Sequence, residues 1–405
     1  MIFAHNKAFN ATYVINILAI GYAFVVPLSR AGIAFFTILL SLFWLLEGDL
    51  KQKVTSLLHN RVIRALLAFV FFGMVSLLWT QHPYEALKYM GKYWYFLPLF
   101  VFATSLQKRY LSKVLSAFIF GMFVSEIISY GVFFELWHFK HATVENPSPF
   151  MHHIEYSIFL AFTALVLLSR IFNSKALLYK LFYSLFFVTV SGNLFLNAGR
   201  TGQFAFIVGV FVLALMSFKN RIKAMFVFVV LAATMLGMAF TFSQTFHDRV
   251  MTGKENIVNV IEKKDYCTSW GGRVGSWIIS TDMIKENPLL GVGIIENMKV
   301  FHSIIEDQYP KMRCMHESFM HTHNQFLEIA TQMGLIGLLF FIYLFYTMAR
   351  LPIVEHQYKN IQYTYLALLG FAFIPEVLFH RQFSMALFAL ITGLILAVYR
   401  IENEV

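Results

Sequence analysis

Residues 12–47 read TYVINILAIGYAFVVPLSRAGIAFFTILLSLFWLLE, with Arg30 the only charge before Glu47. A membrane helix needs roughly 20 mostly apolar residues to cross about 30 Å of hydrocarbon. Two such runs, 12–29 and 31–47, meet at the four residues SRAG, so the stretch reads as two crossings joined in a tight hairpin. The rest of the chain repeats the pattern. Its 405 residues are 58% hydrophobic, 18% aromatic and 13% charged, with a mean hydropathy of +0.64. Soluble proteins carry about 25% charged residues, and no soluble core could bury this much apolar surface.

Ten further apolar segments are expected at about 62–80, 92–106, 111–137, 153–172, 180–198, 202–218, 223–243, 323–348, 361–379 and 383–399. The segment at 92–106 is the shortest and contains Pro98. The expected fold is therefore an all-α polytopic membrane protein of about twelve transmembrane helices, a single membrane domain over residues 1–405. The N-terminus runs into its first span without a small-residue cleavage motif, so no cleaved leader is expected.

The net charge of +10 follows topology and does not imply nucleic acid. Basic stretches such as KQKVTSLLHNRVIR (51–64), QKRYLSK (107–113) and FKNRIK (218–223) follow even-numbered segments, whereas loops after odd-numbered segments hold few cations. The positive-inside rule then places both termini in the cytoplasm. One long hydrophilic segment, 244–322, lies between the ninth and tenth spans and falls on the opposite side. Both cysteines of the chain, Cys267 and Cys314, are in it. In an oxidising compartment they could pair, closing a loop worth roughly 4 kcal/mol in the chain-entropy model; two unrelated free thiols are the alternative.

Polar residues converge on that same side. Arg200, in FLNAGRTGQFAF, opens the eighth span, with Thr201 as the expected N-cap and with Gly199 and Gly202 leaving room beside the backbone. An arginine at a helix N-terminus opposes the dipole unless an anion binds there; snorkelling to headgroups is the plainer reading. Arg273, in SWGGRVGSW, precedes an expected amphipathic helix over 274–286 and would supply a second cation. Arg30 and Arg381 could add a third and fourth, although headgroup contact explains either. His152 and His153 face the same way, and Glu126 is the one carboxylate read as lying clearly in mid-span.

His321 and His323 stand where the long segment re-enters the membrane. HESFMH (316–321) is not the HExxH of zinc proteases, because its histidines are five apart. His321 and His323, at i and i+2, would diverge on a helix. No phosphate-binding loop and no D-x-D pair is present, so no metal site and no cofactor are expected. A neutral histidine at a helix N-terminus, its pKa lowered further by arginines, suits general-base catalysis. A base beside two guanidiniums fits attack of a hydroxyl on a carbon whose leaving group is a phosphate or diphosphate.

HTHNQFLEIATQMGLIGLLFF, with His323 followed after ten residues by Gly334 and Gly337, resembles the signature of the O-antigen ligase and polymerase superfamily. NAGRTGQFAF and GGRVGSW…ENPLLGVG are similar to that family's other two segments, in the same order. The resemblance implies a metal- and ATP-independent glycosyltransferase in the bacterial inner membrane. It would act at the periplasmic face, moving a glycan from undecaprenyl diphosphate to a hydroxyl of lipid A–core and completing lipopolysaccharide. The catalytic histidine maps onto His323 and the diphosphate-binding arginines onto Arg200 and Arg273. His321, Asn324, Arg30 and Arg381 are expected to border the substrates. An O-antigen polymerase, a protein O-oligosaccharyltransferase and a transporter are the alternatives; neither an internal repeat nor a set of mid-span charges favours transport.

Overall fold

The computed structural model describes residues 10–316 and 319–404. Each expected apolar run contains a helix. In chain order these are α1 (Ala11–Val25), α2 (Arg30–Leu46), α3 (Leu50–His59), α4 (Arg61–Val75), α5 (Pro83–Gly91), α6 (Leu97–Ser105), α7 (Lys108–Phe133) and α8 (His153–Asn173). Then come α9 (Leu177–Leu196), α10 (Arg200–Ser217) and α11 (Arg221–Phe242). Helices α12 (Gln244–Lys263), α13 (Ser269–Glu286) and α14 (Asn297–Gln308) occupy the hydrophilic segment, before α15 (Gln325–Ala349), α16 (His356–Ala372) and α17 (Gln382–Asn403). No strand occurs among the described residues. The reading of the extreme N-terminus as uncleaved concerns residues 1–9, which lie outside them, as does Glu317 of HESFMH.

Among the described residues eight helices are long and apolar enough to cross a membrane by themselves, against about twelve expected. They are α4 with its continuation to Leu78, α7, α8, α9, α10, α11, α15 and α17; α2 and α3, bent by 114°, make a ninth if counted together. The others are shortened for local reasons. A turn with Pro27 follows α1, and a 3₁₀ turn, Lys92–Phe96, precedes α6, with Pro98 in its first turn where no N–H is needed. Beyond α16, Pro375 disfavours helix at Ile374.

Helices α8 and α17 form the centre of the bundle. Tyr156, Phe159, Phe162 and Leu165 on α8, and Phe383, Phe388 and Leu394 on α17, are all buried. Close approach of α10 to α8 requires Gly202, where a Cβ would run into Ser157. In contrast, α11 buries only Ala224, Ala232 and Ala239 and otherwise turns apolar side chains outward, as a helix facing lipid should.

The hydrophilic segment has a small core of its own, with Ile279, Met283, Phe301, Ile304, Ile305, Met312 and Met315 packed together. Cys267 and Cys314 are disulfide-bonded across it. Reducing that bond is expected to weaken the segment by about 4 kcal/mol, read as faster proteolysis within α12–α14 while total helix content is retained. Unchanged protease resistance would show that the apolar cluster alone holds the segment.

Candidate active site

The centre of the site is the turn before α15. Asn324 is the N-cap, its Oδ1 accepting from the N–H groups of Phe326 and Leu327 at 2.9 and 3.1 Å. His323, one residue earlier, has φ 50°, a left-handed conformation that favours glycine and that few other residues adopt. The turn is locked from below. Glu328, buried, accepts from the Thr322 N–H and hydroxyl at 2.9 Å each, and Asn297 and Gln332 donate to its other oxygen at 3.1 and 2.8 Å. From α13, Ser276 Oγ donates to the Thr322 carbonyl at 2.8 Å. The result brings the rings of His321 and His323 to 4.3 Å. The expectation that they diverge fails because the segment is a turn and not a helix.

Gln325 joins this turn to the loop between α16 and α17. Its N–H donates to the Phe373 carbonyl, and its Oε1 accepts from Leu378 and Phe379, all at 2.8 Å. That loop carries Glu376, His380 and Arg381. Glu376 is fully buried and bonds Arg273 Nη2 through Oε1 at 2.8 Å. Its Oε2 lies 3.9 Å from Arg381 and 4.0 Å from His323 Nδ1. Both His323 Nδ1 and Glu376 Oε2 are buried without a hydrogen-bond partner.

Arg273 also donates to the Ser269 carbonyl at 3.0 Å. Arg200 Nη2 donates to Ser269 Oγ at 3.0 Å, and Arg273 Nη1 approaches the same oxygen at 3.3 Å. Two guanidiniums thus share one hydroxyl, and Arg200 Nη1 is buried with no partner. Three arginines (Arg200, Arg273, Arg381) face one carboxylate, leaving a surplus of positive charge for an anion to meet.

Burial, followed by the charges of His321, Arg273 and Arg381, lowers the His323 pKa to about 2. Burial and Arg381 lower His321 to about 4; burial and Lys92, whose Nζ is 2.7 Å away, lower His380 to about 3. Burial raises Glu376 while Arg273 pulls it back down. The imidazoles are therefore neutral at physiological pH. Their folded pKa values lie below the unfolded value of about 6.5, so the unfolded chain takes up protons that the folded one does not. Thermal stability is therefore expected to be flat above pH 7.5 and to fall as pH drops below 6.5. Glu376 works in the opposite sense, one carboxyl against three imidazoles. A melting midpoint that held constant from pH 8 to 5 would contradict this picture.

Sequence reasoning named His323, His321, Arg200, Arg273 and Arg381, and the fold brings all five together. Asn324 is adjacent, but its side-chain oxygen is committed to the cap. Arg30 sits apart on the α1–α2 hairpin, over the Phe383 ring at 5.6 Å. Thr201 is not the N-cap of α10: the helix begins at Arg200, and Gly199 precedes it without a side-chain cap. The space beside Gly202 is filled by α8, and Arg273 lies inside α13, which starts at Ser269. Glu126 is buried within α7, whereas Glu155 and Glu328 are buried in the first turns of α8 and α15 and Glu376 in the loop after α16. Glu376 was missed. Its one signal was a carboxylate inside the apolar run GFAFIPEVLF.

His321, His323 and Glu376 each offer a ligand atom within 4.8 Å of the others, a donor set a metal ion could use. The guanidiniums around it repel a divalent cation, and Glu376 Oε1 already accepts from Arg273. The arrangement suits a proton acceptor beside an anion better than a metal.

Residues 185–342 match a family model described as O-antigen ligase. A Haemophilus influenzae protein described as uncharacterized is 25% identical over 242 residues, 58% of this chain and 60% of its own length. The matched region of the chain therefore spans less than two thirds of that curated relative.

Proposed function

We propose, from the chain's membership of the O-antigen ligase/polymerase superfamily, that it is a ligase. It moves a glycan from undecaprenyl diphosphate to a hydroxyl of lipid A–core at the periplasmic face of a bacterial inner membrane. The observation that carries this reading is the pair Arg200 and Arg273 joined at Ser269, with Arg200 Nη1 unpartnered, beside a neutral His323. The acceptor hydroxyl attacks the anomeric carbon, and the bond from that carbon to the diphosphate oxygen breaks. The diphosphate leaves with the electron pair, its charge met by Arg200 and Arg273. The hydroxyl proton passes to His323, and Glu376 steadies the resulting imidazolium through Nδ1. Direct attack inverts the anomeric centre; isolation of a covalent glycosyl-enzyme would rule it out.

A cavity of about 360 Å³ beside Arg200, lined by Phe204, Phe246, Val250, Trp270 and Arg249, supports the reading by offering an apolar channel for the prenyl chain. In this scheme residues 244–322 form the periplasmic loop of one membrane domain, both termini are cytoplasmic and no metal takes part. The test is a strain lacking the native gene, complemented with this chain and assayed for capped lipopolysaccharide. Restoration of the capped ladder, with transfer in membranes insensitive to EDTA, is the expected result. Carrier-linked chains that stay one repeat long without the protein would identify a polymerase instead.

A further inference from the structure

A second cavity of a different kind borders the site at His152 and His153. It measures about 570 Å³, within the roughly 300–1,000 Å³ of ligand sites. The α1–α2 hairpin and the loop from α7 to α8 enclose it. Arg30, Lys140, His141, His152 and His153 line it together with Ser148 and Phe150, and no acidic residue does. Among the described residues neither Arg30 nor Lys140 has a carboxylate within ion-pairing distance. Lys140 is held instead over the rings of Phe139 and Phe150 at 5.1 and 5.2 Å, contacts that steady an ammonium without neutralising it.

Both walls of this cavity are tied to the active site. On one side the Arg30 carbonyl accepts from Gln382 Nε2 at 2.7 Å, and Gln382 directly follows Arg381. On the other, Asn197 Nδ2 donates to Ser148 Oγ, and Asn197 Oδ1 accepts from the Gly199 N–H at 2.8 Å, one residue before Arg200. The rings of His152 and His153 lie 4.0 Å apart, tilted by 35°, and the charge of His152 is felt at His321. The cavity thus adjoins the site, with His152 coupled electrostatically to His321 and the wall at Ser148 linked through Asn197 to the residue before Arg200.

We propose that this cavity is the acceptor subsite and that Arg30 and Lys140 hold a phosphate or carboxylate group borne by the acceptor glycan. The proposal rests on the glycosyl-transfer reading and deepens it. The chemistry follows from the lining: cations with no ion-paired carboxylate bind an oxyanion through charge-assisted hydrogen bonds, while Ser148 and Phe150 provide a hydroxyl and an apolar face for a sugar ring. The prenyl carrier fits the cavity beside Arg200 better, because that lining is the more apolar of the two.

Direct binding tests this without any turnover. The full chain in phosphatidylcholine nanodiscs is titrated with delipidated core oligosaccharide carrying its sugar phosphates, and with the same oligosaccharide dephosphorylated. Wild type is expected to bind the phosphorylated form about tenfold more tightly. Arg30→Gln with Lys140→Gln is expected to abolish that preference, and Arg30→Lys with Lys140→Arg to keep it. Equal affinity for the two forms, or a preference that survives the Gln variant, overturns the proposal. Loss of the preference when phosphatidylglycerol replaces phosphatidylcholine overturns it too, since the cavity would then be a lipid headgroup site. Because no donor is present, the preference can hold while transfer fails, which would reject the enzymatic reading and leave the site standing.

Discussion

Alanine in place of His323 is expected to slow glycan transfer by roughly 10²–10⁴-fold, the usual contribution of a general base. The imidazole is the group that can take the acceptor proton: burial and three cationic or basic neighbours hold it neutral, and its Nδ1 faces a carboxylate 4.0 Å away. A His323→Asn variant belongs beside it, because asparagine accepts the left-handed backbone at this position and cannot act as a base at neutral pH. Loss of transfer in both variants, with normal yield and melting temperature, assigns the defect to chemistry and not to folding. Glu376→Gln should lower the rate less than either, since a glutamine still accepts from Arg273 but no longer offsets a charged imidazolium. Rates measured in membranes with labelled carrier-linked donor would decide this, and near-normal transfer by His323→Asn would remove the histidine from the mechanism.

The second large effect is structural. Gly334 has φ 65° and ψ −171°, a break inside α15. The broken helical bonds are replaced from the segment 288–293. Leu335 N–H donates to the Pro288 carbonyl at 2.8 Å, and the N–H groups of Val292 and Gly293 donate to Thr331 and Gln332 at 2.9 Å each. A Cβ on Gly334 would collide with the Leu289 carbonyl. Gly334→Ala therefore combines the cost of a backbone conformation essentially confined to glycine, about 1–3 kcal/mol, with overpacking of about 1–3 kcal/mol. Loss of most folded protein in detergent extracts is expected. Gly370→Ala, in α16 with open space where its Cβ would go, is the control and should be neutral. Equal stability of the two variants would mean that α15 can close its break.

The same break locks two distant sequence segments together. ENPLLGVG and the glycines after His323 form one interlocked unit, which sets the height of α15 and hence of the turn bearing His321 and His323. Tightening anywhere in that unit should be felt at the histidines.

Local chemistry was enough to read the helices, since apolar runs of this length have no other stable state in lipid and every backbone group must be satisfied within its own segment. It was also enough to find His323, Arg200 and Arg273, because each lies in a short stretch whose glycines and polar residues interrupt an apolar pattern. Three features were settled only by tertiary packing. His321 and His323 meet because Glu328, Asn297 and Ser276, from three different elements, hold Thr322 in a turn, a conformation that no periodicity rule anticipates. Eight segments keep full membrane-crossing length while others are cut by prolines and 3₁₀ turns, whose effect depends on what packs beside them. Glu376 is the clearest case. As a lone carboxylate in an apolar run it carries no spacing signal, and its place between Arg273, Arg381 and His323 exists only because Gln325 ties its loop to the start of α15. A buried charge is tolerable where opposite charges gather around it, and here Arg273 and Arg381 meet Glu376 only in three dimensions.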